Sequence, residues 1–434
     1  MNKVLVITYY WPPHAGVGVQ RWLKFSKYLP LYNWEPVIFT PENAAFDMKD
    51  QSLGGEVPET IEVIRFPIWE PFSIFNKITR GKDKKNLQQG LVLEKKKPSW
   101  KDQLFIWLRG NLFIPDPRVF WVKPSVKFLE DIVKKQGYQN IITTGPPHSM
   151  HLIGLGLKKK CNVQWIADFR DPWSHWDLLG KLKVSKFSRF LHRRLEKKVL
   201  GRADVVVTVS NKLAADLISL GAERVEVVTN GVDVDQINLD FSKTGMVDKF
   251  RISYLGLLNE LRDPGFLWEA LTELVAENEA LADEIEFNLA GIVSENILVK
   301  LNNNPTLKKI VNFKSYIPHH QVFDEIQRSA VLLVILNKSD NAKWIVPGKL
   351  YEYLVARRKI LLIGPENGDA GRILAQTETG ETVEFDDKAK LKKVLSDCFE
   401  NYKSGQVVLK NADIEKYSRR KLAGKVAEIL KGDE

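Results

Sequence analysis

Short apolar runs recur along the whole chain, each followed by a longer segment with helical spacing. Residues 3–8, 36–40, 61–65, 140–144, 164–167, 204–209 and 225–229 form a first series. Residues 251–255, 286–290, 309–316, 331–336, 359–363 and 381–385 form a second. Hydrophobicity within the runs is continuous rather than alternating, which suits parallel strands covered on both faces. Strands that alternate with helices predict βαβ units and doubly wound sheets. Between the two series, residues 230–249 are polar and carry Asn-Gly and Thr-Gly turn signals. The pattern therefore predicts an α/β chain of two Rossmann-like domains, 1–232 and 245–411. A last helix, within 412–434, has no following strand to serve.

Composition narrows the class. At 434 residues the chain is too long for one typical core. Its 44% apolar and 27% charged content is that of a folded globular protein. Two cysteines, Cys161 and Cys398, lie far apart and form neither a metal nor a redox spacing, so a reducing compartment is expected. The first apolar run is ended by Pro12 and Pro13, too soon for a secretory signal core. No run approaches the roughly 18 apolar residues of a spanning helix. A cytoplasmic protein is expected, with room for peripheral attachment to the inner face of a membrane. The net charge of +10 calls for an anionic partner or surface. Nothing resembles a nucleic-acid-binding signature, and no nucleic acid is expected.

The segment Pro347-Gly348-Lys349-Leu350-Tyr351-Glu352-Tyr353-Leu354 follows the run 331–336 and precedes Lys359 to Ile363. It reads as a loop opening a helix between two strands, with proline where it costs no hydrogen bond. The helix start offers unpaired N–H groups and a positive dipole end to an anion such as a diphosphate. One turn on, Glu352 could accept from the two hydroxyls of a ribose. Anion first and diol second describes half of a nucleotide diphosphate-sugar.

Other candidates stand where predicted strands end. Trp11-Pro12-Pro13-His14-Ala15-Gly16-Val17-Gly18 follows the first run, and its glycines permit close backbone approach to a ligand. It lacks the third glycine of a dinucleotide fingerprint. His148, in Thr144-Gly145-Pro146-Pro147-His148, could be a general base, a sugar contact or a helix N-terminal hydrogen bonder. Asp168, Arg170 and Asp171 close the run 164–167. Either aspartate could orient or deprotonate an acceptor hydroxyl, and Arg170 could steady phosphate. The alternative for this loop is an Arg–Asp pair that merely closes it. Asp233 and Asp235 form a D-x-D pattern, which is discounted because it enters the linker. No metal site is expected.

These blocks, in this order and spacing, resemble the GT-B glycosyltransferases, particularly the family 4 type. The resemblance spans nearly the whole chain, from Val4-Leu5-Val6-Ile7-Thr8 through Ala203 to Ser210 and Thr229-Asn230-Gly231-Val232-Asp233 to the Pro347 segment. It implies two doubly wound domains facing across a cleft, with the last helix packing back on the N-terminal one. It implies transfer of a sugar from a nucleotide diphosphate-sugar to a glycan or lipid-linked acceptor in surface polysaccharide synthesis. Retention of anomeric configuration, no metal and no cofactor beyond the donor substrate are implied too. Donor contacts would be Gly16, Gly18, Gly256, Arg262, Pro347, Gly348, Lys349, Leu350 and Glu352. His148, Asp168, Arg170 and Asp171 would face the transferred sugar and acceptor. Two departures stand out. The arginine usual after the glycine matching Gly256 is Leu257 here, and a glutamate usual eight residues before Glu352 is Trp344. Arg262 and Lys349 could supply the phosphate cations, and Asn337, Lys338, Ser339 or Asp340 the sugar contacts. The departures leave open a non-catalytic GT-B-like subunit of a glycan assembly complex. A nucleotide-sugar epimerase is a further alternative. Basic and aromatic residues from Lys95 to Trp121 suit an anionic membrane surface, or else line an acceptor pocket or the core. A second basic stretch runs over 181–198.

Overall fold

The computed structural model describes residues 1–14, 17–44, 50–70, 100–176, 179, 182–233, 247–315, 317, 319–408 and 413–432. The chain divides into two compact units, residues 1–231 with 417–434, and residues 232–416.

In the first unit seven parallel strands run β1 (Asn2–Ile7), β2 (Trp34–Pro41), β3 (Val63–Phe66), β4 (Asn140–Gly145), β5 (Gln164–Phe169), β6 (Val205–Thr208) and β7 (Val225–Val227). Their spatial order is β3-β2-β1-β4-β5-β6-β7. In the second unit come β8 (Phe250–Leu255), β9 (Ile285–Ala290), β10 (Val311–Lys314), β11 (Val331–Ile335), β12 (Lys359–Ile363) and β13 (Gly380–Val383), ordered β10-β9-β8-β11-β12-β13. Both are doubly wound sheets whose order reverses once, between β1 and β4 and between β8 and β11. Ligands of such sheets bind at that reversal, beyond the carboxyl ends of the strands.

Central strands such as β6 and β11 are buried along their whole length. The edge strands β3 and β10 are partly exposed. Burial on both faces is why the inner runs read as continuous hydrophobicity. All thirteen predicted strands form. The largest boundary difference is at 309–316, where Lys309 and Ile310 end the helix Pro305–Ile310 instead. Asn304 caps that helix by accepting from Leu307 N, and Pro305 sits at its first turn. The last helix is Arg419–Lys431. It packs Leu422, Val426 and Leu430 into the same core as Val4, Val6 and Trp22 of the first unit.

In the second unit, β8 and β9 are each followed by a glycine at positive φ, Gly256 at +138° and Gly291 at +122°. A Cβ on Gly291 would lie 2.3 Å from the Gly256 carbonyl oxygen. Gly291→Ala should therefore cost about 1–3 kcal/mol of stability from backbone strain alone, read as a lower urea midpoint. Gly265→Ala should not, since a Cβ there meets only the Lys300 amine at 3.6 Å. Equal midpoints for the two variants would remove this account of the loop.

Candidate functional site

The second unit gathers its candidates at the reversal between β8 and β11. The helix Gly348–Val355 begins after Pro347, which stands at its N-cap in an extended conformation with no side-chain cap. The first N–H groups of the helix therefore have no side-chain acceptor at the N-cap position. Lys349, in the first turn, reaches back to the end of β8. Its Nζ donates to the Leu255 carbonyl at 3.2 Å and lies 3.7 Å from the centre of the Tyr254 ring. A Cβ on Gly256 would stand 3.7 Å from the same amine. Arg262 comes to this loop from the other side. Its Nη1 donates to the Leu257 carbonyl at 3.2 Å, and its Nε donates to Asn337 Oδ1 at 2.6 Å. Tyr254 OH donates to the same Leu257 carbonyl at 2.7 Å.

Two cations thus converge on the three residues 255–257, where the usual arginine is replaced by leucine. Burial, and then Arg262, hold the Lys349 amine well below the ordinary lysine range, with Glu352 pulling in the opposite direction. Glu352 is half-buried one turn into the helix. An arrangement of two like charges and a helix start is costly unless an anion sits among them.

Of the residues expected to stand in for the missing glutamate, Asn337 is occupied by Arg262 and Lys338 pairs with Asp386. Asp340 is exposed. The Ser339 hydroxyl is buried and makes no hydrogen bond among the described residues. Trp344 is half-buried in the short turn Ala342–Trp344.

In the first unit the candidates divide into scaffold and surface. Asp168, at the end of β5, is fully buried. Its Oδ2 accepts from Arg21 Nε at 3.2 Å, Trp22 Nε1 at 2.7 Å and Thr144 Oγ1 at 2.9 Å, and its Oδ1 from Arg21 Nη2 at 2.9 Å. Four donors from its own chain leave no carboxylate edge for a substrate hydroxyl. Asp168 is therefore a positioning residue, which corrects the expectation of an acceptor base here. Arg170 spends three nitrogens on backbone carbonyls, those of Gly145 at 3.1 Å, Gly18 at 3.0 Å and Pro146 at 2.7 Å. It clasps the first loop to the loop after β4. Asp171 is exposed.

Gly18 is explained internally. A Cβ there would stand 2.8 Å from the Tyr10 ring, so glycine admits the tyrosine. Gly16 lies outside the described residues, as do Asp235 and Lys95.

His148 occupies the N-cap position of the helix Ser149–Lys160 but makes no capping bond. Asp116 takes that role, accepting from Ser149 N at 2.9 Å and Ser149 Oγ at 2.6 Å. The His148 ring stacks on Trp173, with centroids 5.0 Å apart and planes within 7°. Burial first, then His151, His192 and Arg170, push its pKa well below the ordinary imidazole range. The ring is therefore neutral at neutral pH, and its Nδ1 has no hydrogen-bond partner among the described residues. That nitrogen is itself buried, so the ring is not placed as a general base for an acceptor hydroxyl.

Sequence reasoning missed Trp173, Arg21 and Asp116. Trp173 directly follows the Arg-Asp-Pro run and could have been read with it. Nothing local marks Arg21, which looks like any polar residue on an amphipathic helix. For Trp121, left open between a membrane-facing surface, an acceptor pocket and the core, the structure gives the core. The residue is 1% exposed, stacks on Phe39 at 4.9 Å and donates to the Pro67 carbonyl.

Residues 90–236 match the model of glycosyltransferase family 4. Over the full length the fold matches that of Anabaena HepE in complex with UDP, at 12% identity and a TM-score of 0.65, covering 100% of both chains. It also matches sucrose-phosphate synthase from Thermosynechococcus elongatus, at 14% identity and a TM-score of 0.62, over 99% of this chain and 98% of that one. The chain has the GT-B fold of these proteins. A protein assigned as a UDP-N-acetylglucosamine 2-epimerase from Listeria monocytogenes shares the fold at 12% identity and a TM-score of 0.56, over 99% and 95% of the two chains. At such identities the structural likeness concerns the fold, which transferases and epimerases have in common. No curated protein matches the chain in sequence. Among the described residues no helix is long and apolar enough to cross a membrane.

Proposed function

We propose that this GT-B protein transfers a sugar from a nucleotide diphosphate-sugar to a glycan or lipid-linked acceptor, in the cytoplasm and in the service of surface polysaccharide synthesis. The observation that carries the reading is the meeting of Lys349, Arg262 and the start of the helix Gly348–Val355 at residues 255–257. These groups would hold the diphosphate and take up the charge that grows as the sugar leaves. Glu352 would hold the ribose and Ser339 a sugar hydroxyl. In the first unit, His148 and Asp171 would meet the transferred sugar and the acceptor, with Arg170 fixing their loops. Retention, independence of metal and the absence of a further cofactor belong to the same reading. A uridine base is favoured because the HepE structure holds UDP.

The test is a thermal-shift series with UDP-glucose, UDP-N-acetylglucosamine and GDP-mannose. A donor at about one hundred times its dissociation constant should raise the melting temperature by about 5 °C or more. Glu352→Ala should abolish the shift and leave the melting temperature of the free protein nearly unchanged. If no nucleotide-sugar moves the transition, the donor site is wrong. The epimerase reading, kept because one structural relative carries that assignment, predicts a shift together with conversion of the free nucleotide-sugar to its epimer without any acceptor. A shift with no turnover of any donor would favour a non-catalytic subunit.

A further inference from the structure

The helix Lys186–Leu200 turns two very different faces outward and inward. Its inward face is Ser188, His192, Glu196 and Val199, all buried. Glu196 is the helix's one acid, and its carboxylate accepts from Ser174 N at 3.3 Å. The outward face carries Lys186, Arg189, Arg193, Arg194, Lys197 and Lys198, all exposed, with no acid among them. Lys159 first, with Arg194 and Arg202, holds Lys198 below the ordinary lysine range. The neighbours that act on it are all of its own sign.

A basic face alone is usually just solvated. This one also presents two phenylalanines, Phe187 at 70% and Phe190 at 57% exposure. They stand three residues apart, on neighbouring positions of one helix surface. A second helix, Trp100–Asn111, is stitched beside them. Asn111 Oδ1 accepts from Ser185 N at 2.8 Å and Ser188 Oγ at 2.9 Å, and its Nδ2 donates to the Lys183 carbonyl at 3.2 Å. Gly110 allows the approach, since a Cβ there would lie 2.5 Å from the Leu182 carbonyl oxygen. That helix adds Trp107, and Leu112 follows it, at 42% and 62% exposure. Large apolar side chains in water are a cost that an occupant must relieve.

We propose that the outward face of the helix Lys186–Leu200, with Phe187, Phe190, Trp107 and Leu112, docks onto an anionic lipid bilayer. The cations meet headgroup phosphates and the apolar side chains enter the acyl boundary, as interfacial helices do. Nucleic acid would use the cations and could stack on the rings. It gives no reason to expose the aliphatic Leu112 beside them. The surface shares Trp107 and Leu112 with the stretch from Lys95 to Trp121, but not Trp121, which is buried, and Lys95 to Lys97 lie outside the described residues. The inference does not rest on the transferase reading. A protein that turned over no donor would dock equally well.

Co-sedimentation tests it, with vesicles of phosphatidylcholine alone or with about 25 mol% phosphatidylglycerol, at about 0.15 M salt. The full chain should bind the anionic vesicles at least about tenfold more tightly than the neutral ones. Lys186→Glu/Arg189→Glu/Arg193→Glu should lose that preference. Phe187→Ser/Phe190→Ser should weaken binding about tenfold and make the remainder fully salt-sensitive. Both variants change exposed side chains, and circular dichroism should show an unaltered melting transition. Wild-type affinity in both variants would overturn the proposal. So would tighter binding to a duplex DNA oligonucleotide than to the anionic vesicles.

Discussion

Asp168→Ala should destabilise the protein by about 3–5 kcal/mol, because it strands the guanidinium of Arg21 in the core. The Arg21 side chain is 2% exposed and that of Asp168 is fully buried. Arg21 also donates to the carbonyls of Val228 at 2.8 Å and Thr229 at 2.9 Å. The pair therefore joins the first helix, the end of β5 and the chain leaving β7. Without the carboxylate, Trp22 Nε1 and Thr144 Oγ1 lose an acceptor as well, and each buried donor left unpaired adds to the cost. In a domain of this size the loss corresponds to a fall in melting temperature of about 10 °C. Asp168→Asn keeps the shape and part of the hydrogen bonding but not the charge, so it should fall between wild type and alanine. A catalytic base would behave differently, with Asp168→Asn fully stable and inactive. A melting temperature unchanged in both variants, with activity gone, would return Asp168 to the chemistry.

The comparison between Asp168 and Asp171 shows where sequence reading runs out. Both follow the same apolar run, and both were fair candidates for acceptor chemistry. What separates them is a partner 147 residues away, and no local pattern encodes such a pairing. The strands were legible because burial on both faces writes itself as continuous hydrophobicity. The error at 309–316 had a visible remedy in Asn304 and Pro305, a cap followed by a first-turn proline. The Pro347 segment announced a helix start and a cation. It did not reveal that Lys349 would turn back to the Leu255 carbonyl or that Arg262 would take Asn337. Those contacts cross the reversal between β8 and β11, which is a property of strand order. The basic stretch over 181–198 was visible, but the burial of its one acid, Glu196, required the fold.

Lys349→Met should reduce turnover by about 100- to 1,000-fold, the loss typical when one preorganised stabiliser of a leaving group is removed. Burial of the amine, and then Arg262, work against its charge, and Glu352 works for it. In the free protein its pKa is therefore depressed, and a bound diphosphate would raise it again. Donor affinity should then be full below the free-state pKa and weaken as pH rises toward the bound-state value. Within that window each binding event takes up a proton, which calorimetry in two buffers of different ionisation enthalpy would register. Stability runs the other way. The unfolded lysine holds its proton where the folded one has lost it, so wild-type stability should rise with pH between the folded and unfolded pKa values. Lys349→Met should abolish both slopes and fold at least as well as wild type, since methionine fills the space without a charge to desolvate. Arg262→Lys gives the complementary result, because a lysine cannot keep two separate donors on the Leu257 carbonyl and Asn337. Wild-type donor binding with no buffer dependence, together with a Lys349→Met protein that still turns over at the wild-type rate, would mean that this amine does not meet the diphosphate.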